Sequence, residues 1–102
     1  MRLTELTPEY CETIPATLEP GRLYISDTHN VAVHLCPCGC GCRVAVPFVE
    51  LGTNPANYTG PGSDYWVLTK SPRGVTFSPS FGNWDFVCRS HYFITDNKIQ
   101  WL

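Results

Sequence analysis

The sequence lacks an excess of basic residues, and charged residues of either sign are scarce. Seven Lys and Arg stand against nine Asp and Glu, which gives a formal net charge of −2, and only 16% of the 102 residues are charged. Proteins that bind nucleic acid normally present a basic face. This charge balance therefore predicts that the chain has no nucleic-acid partner.

Long apolar runs are missing as well. No stretch approaches the about 20 apolar residues of a membrane-spanning helix. The first nine residues carry two acids and no apolar core of signal-peptide length. We therefore expect no membrane association and a location in the reducing cytoplasm, where clustered cysteines indicate a metal site rather than disulfides.

Sustained helical periodicity is the third absence. Nine prolines and eight glycines divide the chain into short segments, and the only helical feature we predict is one turn over residues 8–12, with Thr7 as N-cap. The predicted fold is a small all-β single domain over residues 1–102, with one long Gly/Pro loop over residues 50–64 and a turn at Gly82-Asn83. About seven short antiparallel strands are expected, at 22–26, 31–35, 43–49, 65–69, 75–78, 91–95 and 98–102.

The most unusual stretch that is present is a cysteine loop over residues 36–42, in which four of the six cysteines alternate with Pro and Gly. Thiols held this close indicate a soft metal site, for which Zn²⁺ is the expected ion. One tight loop rarely places four sulfurs at tetrahedral corners, so we expect a distant fourth ligand. Cys42 is left out because it begins the next strand, and the three histidines are the other possible ligands. The predicted set is Cys36, Cys38, Cys40 and Cys88.

A second stretch, residues 88–91, puts a thiol, a guanidinium, a hydroxyl and an imidazole side by side. Successive residues of a strand point to opposite faces, so Ser90 and His91 are not expected to pair directly. Nucleophilic catalysis needs a hydroxyl or thiol within hydrogen-bond reach of a base. The candidate catalytic residues are Ser90 and Ser80 as nucleophiles, His91 and His34 as bases, and Asn83 as a further partner. Backbone N–H groups of the turn at 80–83 are possible oxyanion donors.

Three ordered motifs carry a resemblance to a known family. They are His34-Leu35-Cys36-Pro37-Cys38-Gly39-Cys40-Gly41, Ser78-Pro79-Ser80-Phe81-Gly82-Asn83-Trp84 and Cys88-Arg89-Ser90-His91-Tyr92. Together with the opening strand at 18–26 and the closing hairpin, the chain resembles a family of small bacterial zinc-binding proteins that was long a domain of unknown function. Residue 42 is usually not Cys in that family's pattern, which agrees with leaving Cys42 out of the metal set.

The resemblance implies a peptidase or isopeptidase that trims or removes a ubiquitin-like protein in a bacterial, anti-phage, ubiquitination-like pathway. The expected partners are the C-terminal tail of that protein and E1-like and E2-like conjugation proteins. Two chemistries fit, and we favour the first. In one, the zinc is structural and a serine attacks; in the other, the zinc activates water. The alternative function is a non-catalytic, zinc-stabilised adaptor that binds a conjugation partner.

Overall fold

A computed structural model describes residues 2–51, 65–82 and 88–102, and its regular secondary structure consists of strands. No helix occurs among these residues. Eight strands follow one another within the described residues: β1 (Thr7–Tyr10), β2 (Arg22–Ser26), β3 (Val31–Leu35), β4 (Arg43–Glu50), β5 (Trp66–Ser71), β6 (Gly74–Gly82), β7 (His91–Thr95) and β8 (Lys98–Trp101).

The eight strands form one curled open sheet in which each strand pairs with its neighbour in the chain. The β1–β2 and β4–β5 pairs are parallel, and the other five are antiparallel. The segment just before β1 reaches β8. The Leu6 N–H donates to the Asn97 carbonyl at 2.8 Å, and the Ile99 N–H donates to the Thr4 carbonyl at 2.8 Å. The curl therefore brings the two ends of the sheet together.

The inward face of the curled sheet holds one apolar core, and β7 shows how its two faces differ. Tyr92 and Ile94 are buried, whereas His91 and Phe93, which precede them, are partly exposed. This alternation is expected of a strand with one face on a core. His91 consequently points outward, while the next residue in the chain points inward. The largest fully buried side chains of the core are Tyr92, Phe48, Phe77, Phe81, Leu6 and Leu23.

The structure confirms the all-β fold, and β2, β3 and β7 begin and end where the sequence predicts. The strand β1 adds to the strands that the sequence predicts. The β1–β2 and β4–β5 pairings are parallel, where antiparallel pairing was expected. Residues 7–10 form β1 and not a helical turn, because their backbone pairs with β2 in a register that runs from Thr7↔Arg22 to Tyr10↔Ile25. A proline near a chain end is tolerated at a sheet edge as well as in a first helical turn.

The predicted long loop falls mostly outside the described residues, since Glu50 ends β4 and residues 52–64 are not described. The predicted Gly82-Asn83 turn is divided in the same way: Gly82 ends β6, and Asn83 lies outside the described residues.

Across the described ranges, the chain forms no helix with the length and apolar character that crossing a membrane would require.

Candidate functional site

The cysteine loop begins where β3 ends and closes on itself before β4. The Cys36 N–H donates to the Cys42 carbonyl at 2.8 Å, and the Gly39 N–H donates to the Cys36 carbonyl at 3.1 Å. Gly39 and Gly41 have φ values of +93° and +81°. Those left-handed conformations favour glycine, because a Cβ would be strained there. The alternation of Cys and Gly thus lets the loop turn tightly enough for its sulfurs to converge.

Four cysteine sulfurs lie close together at this loop. The Sγ atoms of Cys36, Cys38, Cys40 and Cys88 all lie within 4.8 Å of one another. The separation is 3.4 Å between the Cys36 and Cys38 sulfurs and 3.8 Å between those of Cys36 and Cys88. None of the six cysteines, all of which lie in the described ranges, forms a disulfide. These are the four that the sequence predicts to meet, and a convergent four-thiol set fits a tetrahedral metal ion.

The remaining candidate ligands stay outside this four-thiol group. In the described part of the chain, no histidine belongs to it. Cys42 is half-buried against the core beside the loop. Cys11 directly follows β1, and its thiol donates to the carbonyl of Ile25 in β2 at 3.8 Å. The long-range thiol of Cys88, brought in from just before β7, completes the group instead.

The thiols of Cys36, Cys38 and Cys88 differ in how readily they ionise. Burial is the largest cause that raises the pKa of Cys36, and burial together with hydrogen bonds to Cys40 and Cys36 raises that of Cys38 to about 12. Burial also opposes ionisation of Cys88, but hydrogen bonds from Ser90, Cys38 and Cys40 outweigh it and lower its pKa to about 6. Metal binding requires thiolates, so loading this site must release protons.

Ser90 belongs to the cysteine cluster rather than to an open catalytic site. Its side chain is 3% exposed, and its Oγ lies 3.1 Å from Cys36 Sγ and 3.6 Å from Cys88 Sγ. Arg89, between Cys88 and Ser90, has a φ of +46°. That left-handed residue turns the chain at the point where Cys88 and Ser90 both face the cluster.

His34 lies in the core, two residues before the cysteine loop begins at Cys36. It is fully buried, and its Nε2 lies 2.7 Å from the Tyr92 hydroxyl. Its ring meets those of Phe81 and Tyr92 edge-on, and Nδ1 has no hydrogen-bond partner among the described residues. Burial lowers the pKa of His34 to about 3, so the ring is neutral at physiological pH.

Ser80 and His91 form the serine–histidine pair of the described structure. The Ser80 Oγ lies 2.9 Å from His91 Nε2, and both side chains are half-buried. The register pairs Phe81 with Tyr92 and Gly82 with His91, and the pairing register shifts between Phe77 and Phe81. Ser80 and His91 are therefore diagonal neighbours on the outward face of two adjacent strands, where side chains can reach each other.

The inward face supports this pair from behind. Phe81 and Tyr92, the residues that follow Ser80 and His91, stack with their ring centroids 5.4 Å apart. Trp66 stacks on the other side of Phe81 at 5.3 Å, and its indole N–H donates to the Ser80 carbonyl at 3.4 Å. The backbone that carries Ser80 and His91 is thus fixed by aromatic packing.

The candidate catalytic residues separate into three groups. Ser80 and His91 meet; Ser90 and His34 lie apart from them, at the cluster and in the core; Asn83 lies outside the described residues. Sequence reasoning gave no role to Tyr92, the partner of His34. A signal was available, because a tyrosine on the inward face of a strand must find a partner for its hydroxyl.

Comparison with protein families identifies the chain. A family model described as "bacterial ubiquitination-like system serine protease (BubE)" matches residues 10–102. The match covers nearly the whole chain, so the chain belongs to this family, as its three motifs predicted. Comparisons with curated proteins and with solved structures find no match.

Proposed function

We propose that this member of the bacterial ubiquitination-like serine protease family uses Ser80 as its nucleophile and His91 as its general base. The observation that carries the proposal is the 2.9 Å separation of Ser80 Oγ and His91 Nε2. This lies within the range required for proton transfer between a nucleophile and its base. The tautomer that acts has its proton on Nδ1, so that Nε2 accepts the hydrogen bond from the serine hydroxyl.

The reaction follows from that geometry. Ser80 Oγ bonds to the carbonyl carbon of the scissile peptide while its proton passes to His91 Nε2. The protonated ring then donates that proton to the leaving nitrogen as the C–N bond breaks, which leaves an acyl ester on Ser80. Water attacks the ester with His91 again taking the proton, and the acid product leaves with the serine hydroxyl restored.

Access to substrate supports Ser80 over Ser90. A nucleophile must reach a peptide carbonyl, and Ser90 is 3% exposed with its hydroxyl against two sulfurs. The same argument supports His91 over His34, which is fully buried at 0% exposure. Its pKa of about 3 is also far below the value near neutral that suits a general base.

We propose Zn²⁺ as the ion of the cysteine cluster, in a structural role. Cys36, Cys38, Cys40 and Cys88 would hold it. Four thiolates fill a tetrahedral shell, whereas catalytic zinc sites keep a fourth position for water. The donor set therefore favours an ion that tethers the chain before β7 to the loop after β3, with the hydrolysis performed by Ser80.

The proposed substrate is the C-terminal tail of a ubiquitin-like protein, which is cleaved next to Ser80. The family description places this chain in a ubiquitination-like system, whose E1-like and E2-like proteins are the proposed further partners. A tail of this kind is extended and can pair along a strand. Ser80 lies in the part of β6 that continues past Ser78, the last β6 residue in register with β5. An extended tail beside this continuation would place its peptide bonds near the Ser80 hydroxyl.

Cleavage and covalent labelling test the proposal together. The purified protein is incubated with a ubiquitin-like precursor that carries extra C-terminal residues, and separately with a fluorophosphonate. We expect cleavage at the end of the mature tail and one adduct, mapped to Ser80 by peptide mass spectrometry. Saturable binding of the precursor without cleavage would instead establish the adaptor function. An adduct on Ser90 would overturn the assignment of the nucleophile.

A further inference from the structure

We propose that Cys36 and His34 position the catalytic histidine through its two neighbours in the chain, Ser90 and Tyr92. The inference rests on the proposed function, because it assigns His91 as the base. It adds a role for a hydrogen-bonding group on each side of His91, neither of which touches the substrate. Ser90 and Tyr92 are positioning residues in this scheme, and Cys36 and His34 are their anchors.

The first anchor, Cys36, holds the residue just before His91. Ser90 Oγ is 3.1 Å from Cys36 Sγ, and the serine is 3% exposed. Cys36 is itself buried at 3% exposure, and its backbone N–H closes the cysteine loop at 2.8 Å. Hydrogen bonds to the ligands of a metal orient those ligands, and the ligands in turn hold the hydrogen-bonding group in place. Fixing the loop thus fixes Ser90, which is bonded directly to His91.

The second anchor, His34, holds the residue just after His91. The Tyr92 hydroxyl is 2.7 Å from His34 Nε2, and both residues are fully buried. His34 Nδ1 has no hydrogen-bond partner in the described chain, so within it the ring is held by the hydrogen bond between Nε2 and the Tyr92 hydroxyl. The bond crosses the core from β3 to β7. It sets how far β7 can slide or tilt relative to β3.

The two anchors come from one short segment. His34 and Cys36 are two residues apart and straddle the end of β3, just as Ser90 and Tyr92 straddle His91. His91 is half-buried on the outward face of β7. Its ring has to meet Ser80 at 2.9 Å. Since a misplacement of about 1 Å can cost about 100-fold in rate, holding the backbone on both sides of His91 has a direct catalytic consequence.

Two conservative variants remove the hydroxyls that contact the anchors, and two matched variants control for lost stability. Ser90→Ala deletes one hydroxyl, and Tyr92→Phe deletes the other while keeping the ring stacked on Phe81. Ser26→Ala and Tyr24→Phe delete the same groups from buried positions on β2. There the Ser26 hydroxyl donates to the Glu12 carbonyl at 2.7 Å, and the Tyr24 hydroxyl accepts from the Glu19 N–H at 3.0 Å.

Turnover of the extended ubiquitin-like precursor is measured for all four variants at a temperature where each is folded. We expect Ser90→Ala and Tyr92→Phe to lower kcat by about 10- to 100-fold, with KM within about twofold, because the base is misplaced while the binding surface is kept. Ser26→Ala and Tyr24→Phe should keep the wild-type kcat. Ser90→Thr, which keeps a hydroxyl, should recover most of the activity.

Nitrogen-15 NMR of the His91 ring provides a readout that does not depend on turnover. We expect the Nε2 resonance to lose its hydrogen-bonded shift in Ser90→Ala and Tyr92→Phe and to keep it in the two controls. Unchanged kcat and an unchanged His91 resonance in both Ser90→Ala and Tyr92→Phe would overturn the inference and leave the Ser80 assignment intact. If the resonance responds as expected but the wild-type protein neither cleaves the precursor nor labels at Ser80, the positioning role stands and the proposed function fails.

Discussion

Two polar clusters meet at the same five residues, 88–92, and they differ in how fully the serine of each is enclosed. On one side, Ser90 is 3% exposed and lies against the buried Cys36, in a cluster whose other cysteines are half-buried (Cys38, Cys88) or exposed (Cys40). On the other, Ser80 and His91 form a single hydrogen bond on a half-exposed outward face. The enclosed cluster has the character of a structural support, and the open pair can meet a substrate. Enclosure, rather than residue type, thus separates the two serines.

Removing the Ser80 hydroxyl breaks the open side of this comparison and has the largest expected effect. Ser80→Ala should lower kcat for precursor cleavage by roughly 10⁴- to 10⁶-fold, because the nucleophile is lost. It should change the free energy of unfolding by less than about 1 kcal/mol, since the side chain is only half-buried. Turnover assays with urea denaturation test both expectations.

Ser78→Ala is the matched control for that variant. Ser78 is exposed and lies on the same strand two residues earlier. We expect wild-type turnover from it. Substantial cleavage by Ser80→Ala, or a comparable loss in Ser78→Ala, would contradict the separation of an open catalytic pair from an enclosed cluster.

Removing one sulfur breaks the enclosed side. Cys88→Ala should abolish stoichiometric metal binding and destabilise the fold by several kcal/mol, because structural zinc contributes its binding free energy to folding. Metal content by mass spectrometry and thermal unfolding measure the two effects. Cys42→Ala removes a thiol from the same neighbourhood but outside the four-sulfur group. It should retain about one metal ion per chain, and loss of the metal in this control would contradict the four-cysteine assignment.

The enclosed cluster was easier to predict from sequence than the open pair. Spacing alone brings Cys36, Cys38 and Cys40 together, and the need for a tetrahedral shell points to the remote Cys88. No local rule pairs Ser80 with His91. That contact depends on the strand register and on its shift between Phe77 and Phe81, which sequence periodicity does not reveal.

The fold shows the same limit. The ends of β2, β3 and β7 follow from apolar stretches bounded by turn residues, as at Ser26 and Val31, and such signals are local. The strand β1 was not predicted, because Thr7-Pro8 is also a good helix start and only its parallel pairing with β2 decides between the two structures. Pairing partners, and hence parallel strands, are set by tertiary contacts.

The buried His34, whose ring contacts Tyr92 in the core, predicts a pH dependence of stability. Its pKa is about 3 in the folded protein, below the unfolded value of about 6.5. As pH falls below 6.5, the unfolded chain binds a proton that the folded chain excludes until about pH 3. Stability is therefore lost on acidification, by about 2 kcal/mol between pH 8 and pH 5 from this group.

Comparison with His34→Gln isolates that contribution from acid release of a metal. Glutamine has no proton to gain in this range but keeps an amide near the Tyr92 hydroxyl. Urea denaturation at pH 8 and pH 5 should show a loss in the wild-type protein that exceeds the loss in His34→Gln by about 2 kcal/mol. Equal losses in the two proteins would show that His34 takes up its proton in the folded state.

The smallest expected effect is on the free energy of unfolding and concerns Arg89, the residue between Cys88 and Ser90 of the cysteine cluster. Arg89 has a φ of +46°, a left-handed conformation that costs a non-glycine residue about 1 kcal/mol or more. Glycine relieves that strain but adds about 0.5–1 kcal/mol of unfolded-state entropy. Arg89→Gly should therefore leave the free energy of unfolding within about 1 kcal/mol of wild type, whereas Arg43→Gly, exposed on β4, should only destabilise. A loss in Arg89→Gly larger than that in Arg43→Gly would show that the guanidinium itself, and not only the turn, supports the junction between the two clusters.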